Sequence, residues 1–298
     1  MIAVSHLSKR YGNRVVVDDM SFAVAAGRVT GFVGPNGAGK STTMRMMVGL
    51  TRPDQGHVRY HGVPYTELLR PAHVVGSVLD ARCMQPGRTA RNHLQAVAAL
   101  SAIPRRRVDE VLHEVGLDGV ADQRAGGFSL GMRQRLALAG ALLGRPDVLL
   151  LDEPSNGLDP DGIRWLRSSL RRFADDGGTV FVSSHLIAEL AMFADDLVVV
   201  GGGRLLAAEP ITSTLARGET TVRVHTPEAA DLASLLSRAG VNVDSAGPNL
   251  SAHGTTTDVV SQIAFEHRIR IVEISEASRS LEEILLDMTG ATAEFASA

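Results

Sequence analysis

Residues 34–42 read GPNGAGKST, a loop that is compatible with few folds. It matches the pattern G-x-x-x-x-G-K-[ST] in full, follows the apolar run VTGFV and precedes the helix-favouring run STTMRMMVGL. Gly34, Gly37 and Gly39 allow positive φ angles and a close approach of the backbone to an anion. Exposed N–H groups and the positive end of the following helix attract phosphate. The sequence therefore predicts a strand, a phosphate-binding loop and a helix, in that order.

The whole loop is the predicted phosphate-binding set: Gly34, Pro35, Asn36, Gly37, Ala38, Gly39, Lys40, Ser41 and Thr42. Lys40 is expected to place a cation between the β- and γ-phosphates of a nucleotide, and the Ser41 hydroxyl to ligate Mg²⁺. The alternative is a glycine-rich turn that contains Lys-Ser by chance. Because the motif agrees with its strand–helix context, binding of a nucleoside triphosphate is favoured.

A second motif, VLLLDEP at residues 148–154, places two carboxylates at the end of an apolar strand. Ligands of parallel sheets bind at the carboxyl ends of the strands. Asp152 is expected to hold Mg²⁺ through its hydration shell, and Glu153 to orient or polarise the attacking water. A strand that ends in an acidic turn is a credible alternative for this motif alone. Beside the phosphate loop, hydrolysis of the nucleotide is favoured.

His185 follows a further apolar strand, in the stretch VFVSSHLIAEL. A lone histidine after a strand is more often structural than catalytic. Its predicted position at the nucleotide edge favours a contact with the γ-phosphate. His185 is therefore assigned to the catalytic set with Lys40 and Glu153.

Short β-rich runs alternate with helical patterns over the first two-thirds of the chain. The predicted strands are 15–17, 29–33, 74–79, 148–152, 179–183 and 197–200. Runs such as GTVFVSS are apolar on both faces, which is typical of strands covered by helices on both sides. The alternation predicts an α/β fold with a largely parallel sheet. Residues 86–144 carry three helical patterns and no convincing strand, which predicts a helical insert.

A first domain over residues 1–217 and a second over 218–298 are predicted. The second domain shows the order strand, helix, strand, strand, helix, strand and helix, with the last strand at residues 269–274. This order is compatible with a small α+β domain. The final residues, TAEFASA, are expected to fray.

Composition excludes several classes of protein. The formal net charge of −3 gives no electrostatic reason to expect a nucleic-acid partner. The only cysteine, Cys83, cannot form an intramolecular disulfide or a cysteine metal cluster. No apolar stretch is long enough to span a bilayer, and the first residues do not resemble a signal peptide. Any membrane part is therefore expected in another chain.

Between the two nucleotide motifs lies FSLGMRQRLALAGALL, and SNGLD follows at residues 155–159. With GPNGAGKST and His185, this order of five motifs resembles the ATP-binding cassette (ABC) ATPases over roughly residues 2–215. The resemblance implies a P-loop NTPase of the ABC type with a helical subdomain, ATP and Mg²⁺ as cofactors, and ATP hydrolysis. It also implies that the chain drives a separate membrane-spanning permease.

Further residues are assigned by this resemblance. Tyr11, in LSKRYG, matches the aromatic residue that stacks on adenine. ABC cassettes work as dimers that enclose two ATP molecules, and the segment around Ser129 and Gly131 would cap the γ-phosphate bound by a second copy. Asp159 would lie at the dimer interface.

Two departures from the family pattern are notable. The usual capping sequence is Leu-Ser-Gly-Gly-Gln, whereas this chain has Phe128, Leu130 and Met132 at three of the five positions. The family also usually has a glutamine at the end of the strand that reads HVVGSVLD in this chain. Direct alignment puts Asp80 there, and Gln85 is the alternative. A carboxylate can accept a hydrogen bond from metal-bound water, but it cannot donate one as an amide does.

The C-terminal domain resembles the accessory tail of bacterial exporter cassettes that confer resistance to drugs and peptide antibiotics. An exporter subunit, peripheral on the cytoplasmic face of the plasma membrane, is therefore expected, with the permease docking near residues 86–94. Two alternatives are a soluble ABC ATPase that is not coupled to transport and a nucleotide-sensing regulatory module. The intact set of catalytic motifs disfavours the regulatory module.

Overall fold

The structure is a computed structural model, and it describes residues 1–80, 84–184, 187–216, 220–278 and 281–290. Cys83, His185 and the predicted tail lie outside the described residues. The chain divides into two compact units. The first holds Met1–Ile211, together with described residues from Met288 onward, and the second holds Thr212–Asp287. The predicted domain boundary lies a few residues beyond the end of the first unit.

The described residues form fourteen strands and eleven helices. The strands are β1 (Ile2–Tyr11), β2 (Arg14–Val24), β3 (Val29–Val33), β4 (Gln55–Tyr60), β5 (Val63–Pro64), β6 (Val75–Val78), β7 (Val148–Leu151), β8 (Thr179–Ser183), β9 (Asp196–Gly201), β10 (Arg204–Pro210), β11 (Thr220–His225), β12 (Asn242–Ala246), β13 (Asn249–His253) and β14 (Glu273–Ser278). The helices are α1 (Lys40–Met47), α2 (Pro71–Val74), α3 (Ala90–Leu100), α4 (Arg106–Glu114), α5 (Leu130–Leu142), α6 (Pro160–Asp175), α7 (Ile187–Ala191), α8 (Ile211–Ala216), α9 (Ala229–Arg238), α10 (Thr257–Glu266) and α11 (Leu281–Gly290).

The centre of the first unit is a six-stranded sheet in the order β10-β9-β3-β8-β7-β6. Neighbouring strands from β9 to β6 are parallel, and β10 pairs antiparallel to β9 at the edge. Every residue of β3, β7 and β8 is buried, as expected for strands covered on both faces. The predicted parallel sheet is therefore confirmed. Strand β8 separates the phosphate-loop strand β3 from the acidic strand β7.

A second sheet in the first unit is antiparallel, in the order β2-β1-β4-β5. The sequence patterns predicted only a short piece of β2 and missed the other three strands. Phe22 of β2 packs on two phenylalanines of the parallel sheet, with ring centroids 6.0 Å from Phe32 and 5.7 Å from Phe181. One apolar core therefore joins the two sheets.

Helices α3, α4 and α5 form a helical region with a core of its own, as the insert over residues 86–144 predicts. The buried guanidinium of Arg107 links α4 to the end of α5. It donates to the carbonyls of Leu142 and Leu143 at the end of α5 and to the carboxylate of Glu114. Cations near a helix C-terminus satisfy carbonyls that have no partner within the helix.

The second unit is an antiparallel sheet in the order β12-β13-β11-β14, packed on α9 and α10. Its strands and helices follow the order β-α-β-β-α-β, in agreement with the predicted α+β domain. The last predicted strand, at residues 269–274, is misplaced, because β14 begins at Glu273. The amide of Ile269 donates to the carbonyl of Ala264, so this stretch first closes the end of α10.

Candidate active site

The candidate site lies at one edge of the parallel sheet, where four neighbouring parallel strands end. Gly34 follows β3, Ser183 ends β8, Asp152 follows β7, and Asp80 lies shortly after β6. Because the strands are parallel, their carboxyl ends meet at this edge, where open α/β sheets bind ligands. The loop 34–42 and the motif VLLLDEP, far apart in the sequence, are brought together here.

The phosphate loop has the backbone geometry that its glycines permit. Gly37 and Gly39 have φ angles of 82° and 94°, which only glycine adopts readily. A Cβ on Gly39 would lie 2.6 Å from the carbonyl oxygen of Val16 on β2, and a Cβ on Gly34 would collide with the carbonyl of Val200 on β9. The loop is therefore wedged between strands of both sheets. The backbone of such a loop and the start of the following helix are suited to binding an anion.

Lys40 is the first residue of α1, and its side chain folds back over the loop. Its Nζ donates to the carbonyl oxygens of Gly34 at 2.6 Å and Pro35 at 3.4 Å, and the residue is 7% exposed. Burial lowers the pKa of the Lys40 ammonium below its ordinary value, and the nearby carboxylates of Glu153 and Asp152 oppose that shift. A buried cation beside a row of amide donors suits a polyanionic ligand.

The acidic pair is organised by Ser183, which the sequence motifs did not single out. The Ser183 hydroxyl donates to Oδ1 of Asp152 at 2.5 Å and accepts from the backbone N–H of Glu153 at 2.9 Å. Ser183 is fully buried at the end of β8. It therefore fixes Asp152 and Glu153 relative to the neighbouring strand. The only sequence signal was its place at the end of an apolar strand.

Glu153 has a φ angle of 49°, in the left-handed region that non-glycine residues avoid. Such a conformation costs about 1–3 kcal/mol and persists where the surroundings enforce it. Two hydrogen bonds hold Glu153 in this conformation. Its N–H donates to the Ser183 hydroxyl, and its carbonyl accepts from the N–H of Asn156 at 3.2 Å. Strained residues of this kind cluster at functional sites.

The remaining predicted residues lie on several different elements. Tyr11 ends β1 and is half-exposed, with Lys9 Nζ 5.5 Å from its ring centroid. Ser129 caps the N-terminus of α5 by accepting from the N–H of Met132, and Gly131 follows it. Asp159 similarly caps α6, accepting from the N–H of Gly162 at 2.7 Å. Asp80 and Gln85 are both exposed, and His185 lies outside the described residues.

Comparison with known proteins identifies the family. A model described as ABC transporter matches residues 17–156. An uncharacterized ABC transporter ATP-binding protein of Bacillus subtilis, YhcH, is 33% identical over 297 residues, which cover 99% of this chain and 97% of that protein. The chain belongs to the ABC transporter ATP-binding proteins. As an ABC ATPase, it binds and hydrolyses ATP as the energy-supplying subunit of a transporter.

Other ABC proteins extend this similarity. The bacitracin transport ATP-binding protein BcrA of Bacillus licheniformis is 38% identical over 70% of each chain. The Nod factor export ATP-binding protein I of Ralstonia nicotianae is 31% identical over 97% of this chain and 94% of its own. A solved ATP-binding subunit of an ABC transporter superposes with a TM-score of 0.66 at 26% identity, covering 73% of this chain and 92% of that one. A domain of unknown function, DUF8746, matches residues 220–282.

Within the described ranges of this ABC ATPase, no helix combines the length and apolar character needed to cross a bilayer.

Replacing Ser183 with Ala is expected to slow ATP hydrolysis and leave ATP affinity within a few-fold of the original. Loss of its two hydrogen bonds leaves a buried N–H and a carboxylate oxygen without this partner, which costs about 1–3 kcal/mol. If this free energy adds to the activation barrier of hydrolysis, turnover drops by roughly one to two orders of magnitude. Phosphate release and equilibrium ATP binding are the measurements.

Thr30→Val is a matched control for this experiment. The Thr30 hydroxyl is buried in β3 and has no hydrogen-bond partner among the described residues. Its removal should therefore leave turnover unchanged. Equal turnover in Ser183→Ala and the original chain would contradict the assigned role of Ser183.

Proposed function

We propose that this ABC ATPase powers an exporter of peptide-antibiotic or drug type, and that two copies close on two ATP molecules to drive a separate permease. The single observation that carries the proposed ATP-driven cycle is the gathering of Lys40, Asp152 and Glu153 at one sheet edge. Relatives named for bacitracin transport and Nod factor export support the exporter assignment. A soluble ABC ATPase without a permease remains the second candidate.

The proposed roles combine the geometry of this edge with the sequence motifs and the family resemblance. Residues 34–42 bind the phosphates, with Lys40 as the cation for the β- and γ-phosphates. Glu153 is the proposed general base for the attacking water, and His185 is proposed to contact the γ-phosphate. Tyr11 is the proposed stacking surface for adenine, because its ring is half-exposed at the end of β1.

Mg²⁺ is the proposed metal, and the side chains present suit it. The Ser41 hydroxyl is exposed at the start of α1, and the carboxylate of Asp152 has one oxygen bonded to Ser183, with Oδ2 as its second oxygen. Hydroxyl and carboxylate oxygens are ligands that Mg²⁺ prefers, and it usually retains several waters. When bound, the metal would neutralise charge on the β- and γ-phosphates.

A second copy is proposed to complete each site. Ser129 and Gly131 lie at the start of α5 in the helical region, whose core is separate from the one beneath the phosphate loop. Solved cassettes of this fold include dimers, one of them in a post-hydrolysis state with ADP and phosphate. In the proposed dimer, the ATP on one phosphate loop is capped by Ser129 of the partner subunit. Asp80 is proposed to accept from metal-bound water, with Gln85 as its alternative.

The proposed permease-docking surface is a groove of about 640 Å³ beside β6, between the segment 65–77 and the ends of α3 and α5. Two large apolar side chains of the groove are almost fully solvent-exposed, Leu69 at 99% and Leu100 at 89%. Apolar side chains exposed together typically mark a protein contact. The docking stretch predicted from the resemblance, residues 86–94, lies at the opposite end of α3 and does not line this groove.

The double substitution Leu69→Glu with Leu100→Glu is expected to separate the chain from the permease. Removing carboxylates from water at an interface costs several kcal/mol per ion, so we expect recovery with permease-containing membranes to fall at least about tenfold. ATP hydrolysis by the isolated chain should stay unchanged. The test expresses a tagged chain in its native host, and it measures the amount recovered with membranes and the ATP hydrolysis of the purified chain.

Phe265→Glu is the matched control for this variant, because it also charges an exposed apolar residue, on α10 of the second unit. Undiminished recovery of the double variant would exclude this groove as the docking surface. A chain that never associates with membranes, even unsubstituted, would instead favour the soluble alternative.

A further inference from the structure

The start of α5 rests directly on the loop 155–159 of the same chain. The Cδ2 atom of Leu130 fills the space that a Cβ on Gly157 would need, so the two residues are in close contact. Beside it, Cδ2 of Leu158 lies 3.6 Å from the Cβ position of Gly131. Gly157 has a φ angle of 71°, which a residue with a side chain adopts only under strain. The loop is therefore shaped to receive Leu130.

A second contact joins α5 to α6. The guanidinium carbon of Arg135 lies 4.2 Å from the ring centroid of Trp165, within the range of a cation–π interaction. The same guanidinium donates to the carbonyl of Val115 at 3.0 Å, which fixes its direction. Trp165 also packs against the core of the helical region. Helix α5 is thus held at two points, at its start against the loop 155–159 and further along against α6.

Both contacts lie close to Glu153 along the chain, because the loop 155–159 and α6 follow it directly. Only the loop 154–159 separates Glu153 from the first residue of α6, and internal turns stiffen it. The N–H of Asn156 donates to the carbonyl of Glu153 at 3.2 Å, and that of Leu158 to the carbonyl of Ser155 at 3.1 Å. A displacement of α5 relative to α6 would therefore pull on the peptide that carries Glu153.

We propose that Leu130, Arg135 and Trp165 are positioning residues that clamp α5 to α6 within one chain. The clamp makes Ser129 and the Glu153 of the same chain parts of one rigid piece. The inference rests on the proposed function, in which Ser129 caps the ATP of the partner subunit. Capping of the partner's nucleotide and alignment of a chain's own Glu153 then occur together, so ATP turnover is cooperative.

Leu130→Ala and Trp165→Leu test the clamp in the full chain. Small misplacement of catalytic groups can slow a reaction by up to about 10²-fold, so we expect turnover to fall roughly tenfold in each. The Hill coefficient for ATP should approach one, and equilibrium binding of ADP should stay within about twofold. Trp165→Phe keeps an aromatic face for Arg135 and should recover most of the turnover.

Arg164→Met is the control on the same helix, because Arg164 pairs only with the exposed carboxylate of Asp161 among the contacts described. It should retain full turnover and cooperativity. Trp165 is the only tryptophan of the chain, so its fluorescence reports the contact directly. Arg135→Met should shift the emission of folded chain that still binds ADP, and an unshifted emission would show that the cation–π contact is absent.

The possible failures are distinguishable. Normal turnover and cooperativity in both Leu130→Ala and Trp165→Leu would overturn the clamp and leave the proposed function intact. Full turnover in Ser129→Ala would overturn the shared site itself, and the clamp with it. Because Leu130 is 41% exposed, its truncation does not open the core, and Leu130→Ala decides the matter even if Trp165→Leu fails to fold.

Discussion

Replacing Glu153 with Gln is expected to reduce ATP turnover by about 10²–10⁴-fold while ATP binding persists. Glutamine has the same size and inherits the same backbone conformation, so the fold should not change. It cannot accept a proton from the attacking water. Binding would then proceed to the closed state without the hydrolysis that reopens it, and an ATP-bound dimer should accumulate. Phosphate release and the size of the ATP-bound species in solution are the two measurements.

Glu67→Gln is the matched control for Glu153→Gln. Glu67 is exposed in a 3₁₀ turn that follows β5, a strand of the antiparallel sheet and not of the sheet whose strand ends form the site. Its neutralisation should leave both turnover and association unchanged. Unimpaired hydrolysis in Glu153→Gln would show that another group activates the water. His185 would then be the first residue to substitute.

Replacing Lys40 with Met is expected to abolish useful ATP binding. The ammonium would make at least two charge-assisted contacts with phosphate oxygens, each worth about 1.5–3 kcal/mol. Their loss predicts a rise in the dissociation constant of roughly two orders of magnitude or more. Methionine fills similar volume and removes a buried charge, so the folded state should tolerate the change. Calorimetric titration with ATP and thermal unfolding of the free chain are the measurements.

The chain offers a close control, because Lys9 and Lys40 are its only lysines. Lys9 bonds to Asp54 and to the carbonyl of Arg52, so Lys9→Met removes the same charge from an ion pair. Its Nζ also lies 5.5 Å from the ring centroid of Tyr11, so a few-fold effect through the proposed adenine-stacking residue is included in the expected change. An ion pair such as Lys9–Asp54 is worth about 0–1 kcal/mol, and ATP affinity should change only a few-fold. Equal losses in the two variants would mean that net charge, rather than the position of Lys40, determines binding.

The sequence points more readily to the residues proposed for the chemistry of the site than to the residues that hold them in place. The motifs point to Lys40, Asp152 and Glu153 because each comes shortly after an apolar strand, and the carboxyl ends of those strands meet at one edge of the parallel sheet. Ser183 was not predicted, because its role depends on β8 lying beside β7. Strand order is a tertiary property, and no local pattern in a single sequence carries it.

The antiparallel sheet was missed for a different reason. Strand β1 pairs with both β2 and β4, but its register shifts between Val4 and Leu7 and again before Lys9. His6 has a φ angle of 51° at the first of these irregularities. A bulge interrupts the alternation of inward and outward side chains, which is the signal by which a half-buried strand is predicted. Tyr11 could therefore be assigned only through resemblance.

The left-handed backbone of Glu153 lowers the stability of the folded state, and the same residue is the one on which turnover is proposed to depend. Glycine at this position would relieve the strain, and asparagine would relieve part of it, yet neither supplies a carboxylate to the attacking water. Selection for thermal stability alone would favour losing the side chain on which turnover is proposed to depend. The proposed role in turnover accounts for a glutamate at this strained position, and engineering for thermal stability should leave the residue untouched.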